Sequence, residues 1–149
     1  MTDAFARLHA ECAPLGARLF TLTVHDPTAR LFRRAYSSHP RDYPVTGTKP
    51  MGDDAWTRHV VDGRQSFVAN TTAEFAPLFP DHAQINALGC HSALNIPVLD
   101  GNGDVIGTVN IFEVEGHFTP DRVRAYEALV ARHQPALLAR IAAIDLGAP

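Results

Sequence analysis

The chain has 149 residues, of which 46% are hydrophobic and 19% charged, a balance that fits one folded domain and excludes a disordered chain. A domain of this length buries roughly 70% of its unfolded surface, so it needs no disulfide or metal staple. The net charge of −3 gives no basic face for nucleic-acid phosphates, and no apolar run approaches the ~20 residues that span a bilayer. Met1–Ala10 carries an acid, Asp3, and a histidine without an apolar signal-peptide core. Cys12 and Cys90 lie far apart without metal-type spacing, which points to free thiols in a reducing cytoplasm.

Phe5, Leu8, Cys12 and Leu15 fall on one stripe, which predicts a helix over about residues 2–16 with Cys12 as a small core filler. Arg18–His25 alternates Phe20, Leu22 and Val24 with polar neighbours, the pattern of a half-buried strand. The Asp26-Pro27 turn then leads into a second strand over Leu31–Ser38, and the proline-rich stretch from His39 to Gly52 reads as an irregular loop. Asp53–Asp62 reads as a short helix carrying Trp56, His59 and Val60 and stopped by Gly63; Ser66–Asn70 reads as a strand. Helical pieces follow from Thr71 to Leu88, with Gly89 as their stop.

Ser92–Leu99 and Val105–Phe112 are the two clearest strands, joined through Asn102-Gly103, where both residues tolerate positive φ. A two-residue turn there sets Asn95 opposite Asn110, Pro97 opposite Thr108 and Leu99 opposite Ile106. Leu94, Ile96, Val98, Val109 and Ile111 then form one apolar face, and Ala93, Asn95, Thr108, Asn110 and Phe112 share the other. The two amides either bond each other or form the floor of a polar ligand site. Finally, Thr119-Pro120-Asp121 opens a long helix to about residue 144. Its seam runs Val123, Tyr126, Val130, His133, Leu137, Ile141 and Ile144, with a kink expected at Pro135. This element order describes a single α+β domain over 1–149, one antiparallel sheet with helices segregated to its faces.

Phe79-Pro-Asp-His82, the run Leu88-Gly-Cys-His-Ser-Ala-Leu-Asn-Ile-Pro-Val98 and Val105-Ile-Gly-Thr-Val-Asn-Ile111 resemble the GAF domain, a relative of the PAS fold. Tyr36-Ser-Ser-His-Pro40, Tyr43-Pro-Val45, Gly47-Thr-Lys-Pro-Met51 and Trp56 are similar to small stand-alone bacterial members. The resemblance implies a six-stranded antiparallel sheet, terminal helices on one face and a small-molecule pocket under short helices and loops on the other. It also implies a homodimer built on the terminal helices (about 2–16 and 119–144) and, for a stand-alone chain, a separate output protein. A sensory or regulatory module binding a polar metabolite is the reading that follows. Asn95, Thr108 and Asn110 would form its floor, Asp81, His82 and Cys90 its wall, and Trp56 and Tyr43 its lid, with Lys49 and Arg64 the nearest cations.

The alternative is a small enzyme that uses Cys90, or an Asp81–His82 acid–base pair, in that pocket. The stand-alone methionine-(R)-sulfoxide reductases of the family are not matched. Their pattern wants a Cys near Asn86, a carboxylate near Ala93 and an acid near Asn110. Phytochrome-type members attach a bilin through a Cys followed by His, and here Asp81 stands where that thiol would be. No cofactor is expected, and the eight histidines show no metal-ligand spacing. His82 and His91 are read as structural rather than as haem ligands.

Overall fold

The computed structural model describes residues 3–45 and 48–144; Thr2 and Gly47, which the sequence reading drew on, lie outside them. In chain order the elements are α1 (Ala4–Cys12), β1 (Leu19–Asp26), β2 (Leu31–Ser37), β3 (Lys49–Pro50) and α2 (Ala55–Thr57). A π-turn over Arg58–Asp62 follows, then β4 (Phe67–Ala69), α3 (Thr72–Phe75), α4 (His82–Ala87), β5 (Ser92–Leu99), β6 (Val105–Glu113) and α5 (Pro120–Ala142). The six strands form one antiparallel sheet in the order β3-β2-β1-β6-β5-β4. Pairing of Asn95 with Asn110 and of Pro97 with Thr108 is as expected.

The end of that hairpin differs. Leu99 pairs with Val105 rather than Ile106, and a bulge follows Val98. Only Gly103 takes positive φ there, at +83°. The turn is organised by Asp100, whose Oδ1 accepts from Asn102 N at 2.9 Å and Asp104 N at 3.0 Å. An Asx turn of this kind competes well with the tight two-residue turn. The bulge absorbs the longer loop and leaves both strand faces as assigned. Lys49–Pro50, inside the stretch read as a loop, adds a two-residue edge strand paired to Leu31 and Phe32.

The apolar face packs under the terminal helices. Phe5, Leu8 and Cys12 of α1 join Leu94, Ile96, Val98, Val109, Ile111 and the α5 residues Tyr126, Val130, Leu137 and Ile141 in one buried cluster. Asp3 caps α1 by accepting from Phe5 N, and Thr119 caps α5 by accepting from Arg122 N, each satisfying an orphan donor of the first turn. Ion pairs Asp3–Arg140 and Glu11–Arg132, with a Glu11–His133 side-chain contact beside the second, tie the two helices together. Helix α5 is continuous across Pro135, which leaves the Ala131 carbonyl without its helical donor.

Beneath α5, Gly107 lets helix and strands approach closely: a Cβ there would sit 3.1 Å from Ile141 Cδ1 and 3.1 Å from Thr23 O. Gly107→Ala is therefore expected to destabilise the fold by about 1–3 kcal/mol through overpacking. Gly101→Ala, with nothing within 4 Å of its Cβ position, should change stability by less than about 0.5 kcal/mol. Urea unfolding of the two variants checks the contrast, and equal stabilities would refute it.

Candidate functional site

The opposite face of the sheet is divided in two. One half is filled by Leu19, Tyr43, Ala69, Phe75, Ile85, Cys90, Ala93 and Phe112. The other half is an open cavity of about 580 Å³, whose walls include Phe32, Arg34, Tyr43, Lys49, Asp54, Trp56, Phe79 and Asp81. Its floor is Asn95, Asn110, Thr108, Thr21 and Thr23. A volume of this order matches small-molecule sites.

One directed chain of hydrogen bonds organises the floor. The Trp56 indole N–H donates to Asn95 Oδ1 at 2.9 Å, and Asn95 Nδ2 donates to Asn110 Oδ1 at 2.8 Å. Asn110 Nδ2 donates to both Thr21 Oγ1 and Thr23 Oγ1, each at 3.1 Å. Because an indole nitrogen can only donate, it fixes which end of the Asn95 amide faces it, and the rest of the chain follows. The two side chains bond each other, and both line the cavity. Beside them His25, 3% exposed, places Nε2 3.2 Å from Thr108 Oγ1. Burial pushes its pKa down to about 3, so the ring is neutral.

The wall is held by a second polar cluster. Tyr43 donates its hydroxyl hydrogen to Asp81 Oδ2, and burial together with that carboxylate keeps the phenol above its ordinary pKa. The Arg34 guanidinium lies 3.8 Å above the Tyr43 ring, donates to Pro44 O at 2.7 Å and approaches Asp81 Oδ2 at 3.6 Å. Charge and ring face reinforce each other in this arrangement. The loop after β2 is thereby fastened to the turn before α4.

Six of the eight expected site residues line the cavity: Asn95, Asn110, Thr108, Asp81, Trp56 and Tyr43. His82 and Cys90 do not. His82 directs Nδ1 to Phe79 O at 2.8 Å, and Asp81 turns to Tyr43 and Arg34, so the adjacent pair forms no acid–base dyad. Cys90 is fully buried in the filled half of the face. Burial, with Glu113 nearby, pushes its thiol up to about 12. Cys12 belongs to the helix-side cluster, on the other side of the sheet. Of the two expected cations Lys49 lines the cavity, whereas Arg64 lies in a separate groove with Glu127 and Gln134. At the position where the reductases would have a thiol, Asn86 instead donates to Cys90 O at 2.8 Å and Thr72 Oγ1 at 3.0 Å.

Sequence reading missed Thr21, Thr23, His25 and Arg34. The first three are the polar partners in the alternation of β1, and that alternation was the signal. Arg34 was hidden by a bulge: Leu22 pairs with Tyr36 but Thr23 with Arg34, skipping Ala35. Without it Tyr36 and Arg34 would share a face; with it Tyr36 packs on Phe5, His9 and Phe20. Among the described residues, no group of three or more His, Cys, Asp or Glu could hold a metal ion, and no helix is long and apolar enough to cross a membrane.

The buried histidine makes stability depend on pH with a definite sign. Its pKa falls from 6.5 to about 3 on folding, so in that interval only the unfolded chain takes the proton. Stability is then complete above the unfolded value and lost as pH falls through the window. For His25 the loss from pH 7 to pH 5 is about 2 kcal/mol. His9 and His117, also lowered by burial, act in the same sense. The His25→Gln variant should show a shallower acid slope in urea titrations at the two pH values; an unchanged slope would refute the assignment. Both thiols should react slowly with a disulfide reagent at neutral pH in the folded protein and at once in urea.

Comparison with known proteins places this geometry. The GAF domain family matches residues 8–133. The fold superimposes with a TM-score of 0.72 on the GAF domain of a two-component sensor histidine kinase from Bacillus halodurans, at 14% identity over 91% of this chain and 92% of that one. A GAF domain of a putative membrane protein from Geobacter sulfurreducens PCA gives 0.69 at 14% identity, over 91% and 90%. Free methionine-R-sulfoxide reductase from Neisseria meningitidis, solved with its substrate, gives 0.64 at 18% identity, over 97% and 83%. No curated protein sequence matches. The family match spans most of the chain, so this chain belongs to the GAF domain family.

Proposed function

We propose that this protein is a sensory or regulatory module that binds a small polar metabolite in the cavity between the sheet and the Trp56 and Tyr43 lid. The observation that carries this reading is a floor of five amide and hydroxyl side chains beneath aromatic walls in a space of about 580 Å³. Such a floor supplies orientation and the rings supply contact area, the usual division of labour in small-molecule sites. That one structural neighbour comes from a sensor kinase and another is a reductase solved with its substrate supports a ligand site in a domain of this fold.

The enzymatic alternative is weaker on geometry. Of its three proposed groups only Asp81 reaches the cavity, where Tyr43 and Arg34 already engage it. A homodimer and a separate output protein in the cytoplasm of a bacterium complete the proposal. The apolar seam of α5 packs on its own sheet, so pairing would use the outward row Ala128, Ala131, Pro135 and Ala139, all exposed.

Native and denaturing mass spectra of the purified protein test both parts. The expected result is a dimer, together with a ligand-induced change in the fluorescence of Trp56, the only tryptophan, across a metabolite panel. A bare monomer would remove the dimer. A Trp56 signal unmoved by every compound, with no retained mass, would remove the ligand site.

A further inference from the structure

Donors and acceptors in the floor do not balance. Both Asn110 Nδ2 hydrogens are used on Thr21 and Thr23, which turns both hydroxyl oxygens into acceptors and leaves their own protons free. Among the described residues neither proton has an acceptor, and the second Nδ2 hydrogen of Asn95 has none either. Thr21 and Asn95 are each 2% exposed. A buried donor left without a partner costs on the order of 1–3 kcal/mol, and a spare lone pair on a carbonyl is better tolerated. A molecule that covers this floor must therefore present an acceptor to these donors.

Charge narrows the class. Arg34 is engaged by Asp81, the Tyr43 ring and Pro44 O. Lys49 and Asp54 are exposed and of opposite sign, and His25 is neutral. A carboxylate lowered onto this floor would lose its hydration and find as its free cation only Lys49, which is exposed and screened by solvent, so the desolvation cost would be poorly repaid. A neutral carbonyl would meet the free hydroxyl and amide protons at little desolvation cost. Phe32 and Trp56, with centroids 5.9 Å apart and rings nearly perpendicular, and Phe79, which also lines the cavity, favour a flat body.

Resting on the cavity being a ligand site, we infer that its occupant is an uncharged planar molecule of the lactam or ureide class, with a carbonyl oxygen accepting from Thr21 and Thr23. The test uses uracil, benzoate and indole as probes of neutral carbonyl, carboxylate and acceptor-free ring. The readout is the single indole N–H resonance of Trp56 in isotope-labelled protein. Uracil alone should shift that resonance saturably. Thr23→Val should weaken uracil by about tenfold, the worth of one hydrogen bond, and Thr23→Ser by less than about twofold. Because Thr23→Val also strips Asn110 of an acceptor, the probe comparison on the unaltered protein stands by itself. Saturable binding of benzoate or indole in preference to uracil would overturn the class and keep the ligand site. Equal uracil affinity in folded Thr23→Val would overturn the hydroxyl contact. Silence from all three probes would overturn the class, while the metabolite panel judges the site independently.

Discussion

The Asn95–Asn110 amide pair can form in only one register of the central hairpin, and both faces of the sheet follow from that register. Moving β5 by one residue against β6 would turn Leu94, Ile96 and Val98 toward the cavity and Asn95 toward the helices. The same register that buries the apolar set against α1 and α5 brings the two carboxamides together at 2.8 Å. Hydrophobic burial supplies the driving force, and the amide bond penalises the wrong alignment, since a slipped Asn95 would lie unpaired in the core. Trp56 then gives the pair a direction, because the indole can only donate.

Two bulges protect this arrangement from the loops around it. At the β5–β6 turn an Asp100-centred loop takes more residues than a tight hairpin, and the bulge after Val98 removes the mismatch before it reaches Asn95. In β2 the bulge at Ala35 does the opposite: it reverses the facing of the strand midway. Tyr36 is thereby delivered to the helix side and Arg34 to the cavity. One extra residue converts a strand that would serve a single layer into one that serves both.

Alternation made the two-faced sheet readable from sequence, and the period-two pattern of β1, β5 and β6 placed Asn95, Thr108 and Asn110 correctly. What escaped were features that depend on neighbours rather than on period. The bulge at Ala35 carries no turn residue of its own, so Arg34 could not be assigned to a face. Cys90 is close in sequence to the floor residues, but it precedes β5 at the end of the sheet where α3 and α4 pack their phenylalanine and isoleucine. Proximity in sequence therefore put it near the cavity, and packing kept it out. His82 was drawn toward catalysis by its neighbour Asp81, whose carboxylate is taken by Tyr43, a residue 38 positions away. No local pattern encodes such a contact.

The two faces also differ in how firmly they are held. Terminal helices and sheet form a continuous close-packed cluster, with Gly107 allowing contact down to the backbone. Displacing that layer means opening a core. The lid is fastened at separate points: Trp56 to Asn95, Tyr43 to Asp81, Arg34 to Pro44, and a two-residue β3 on the edge of the sheet. Apart from Tyr43, which packs in the filled half of the cavity face, these fastenings are a handful of polar contacts, and a region held in this way opens at a lower free-energy cost than the helix layer. In the proposed module, binding and release would be motions of the lid, with the helix layer as the rigid reference. Any signal that reaches α1 and α5 must then pass through strands shared by both faces. Strand β1 would be the direct route in the proposed module, since Thr21 and Thr23 stand in the floor and the intervening Leu22 stands in the helix-side core.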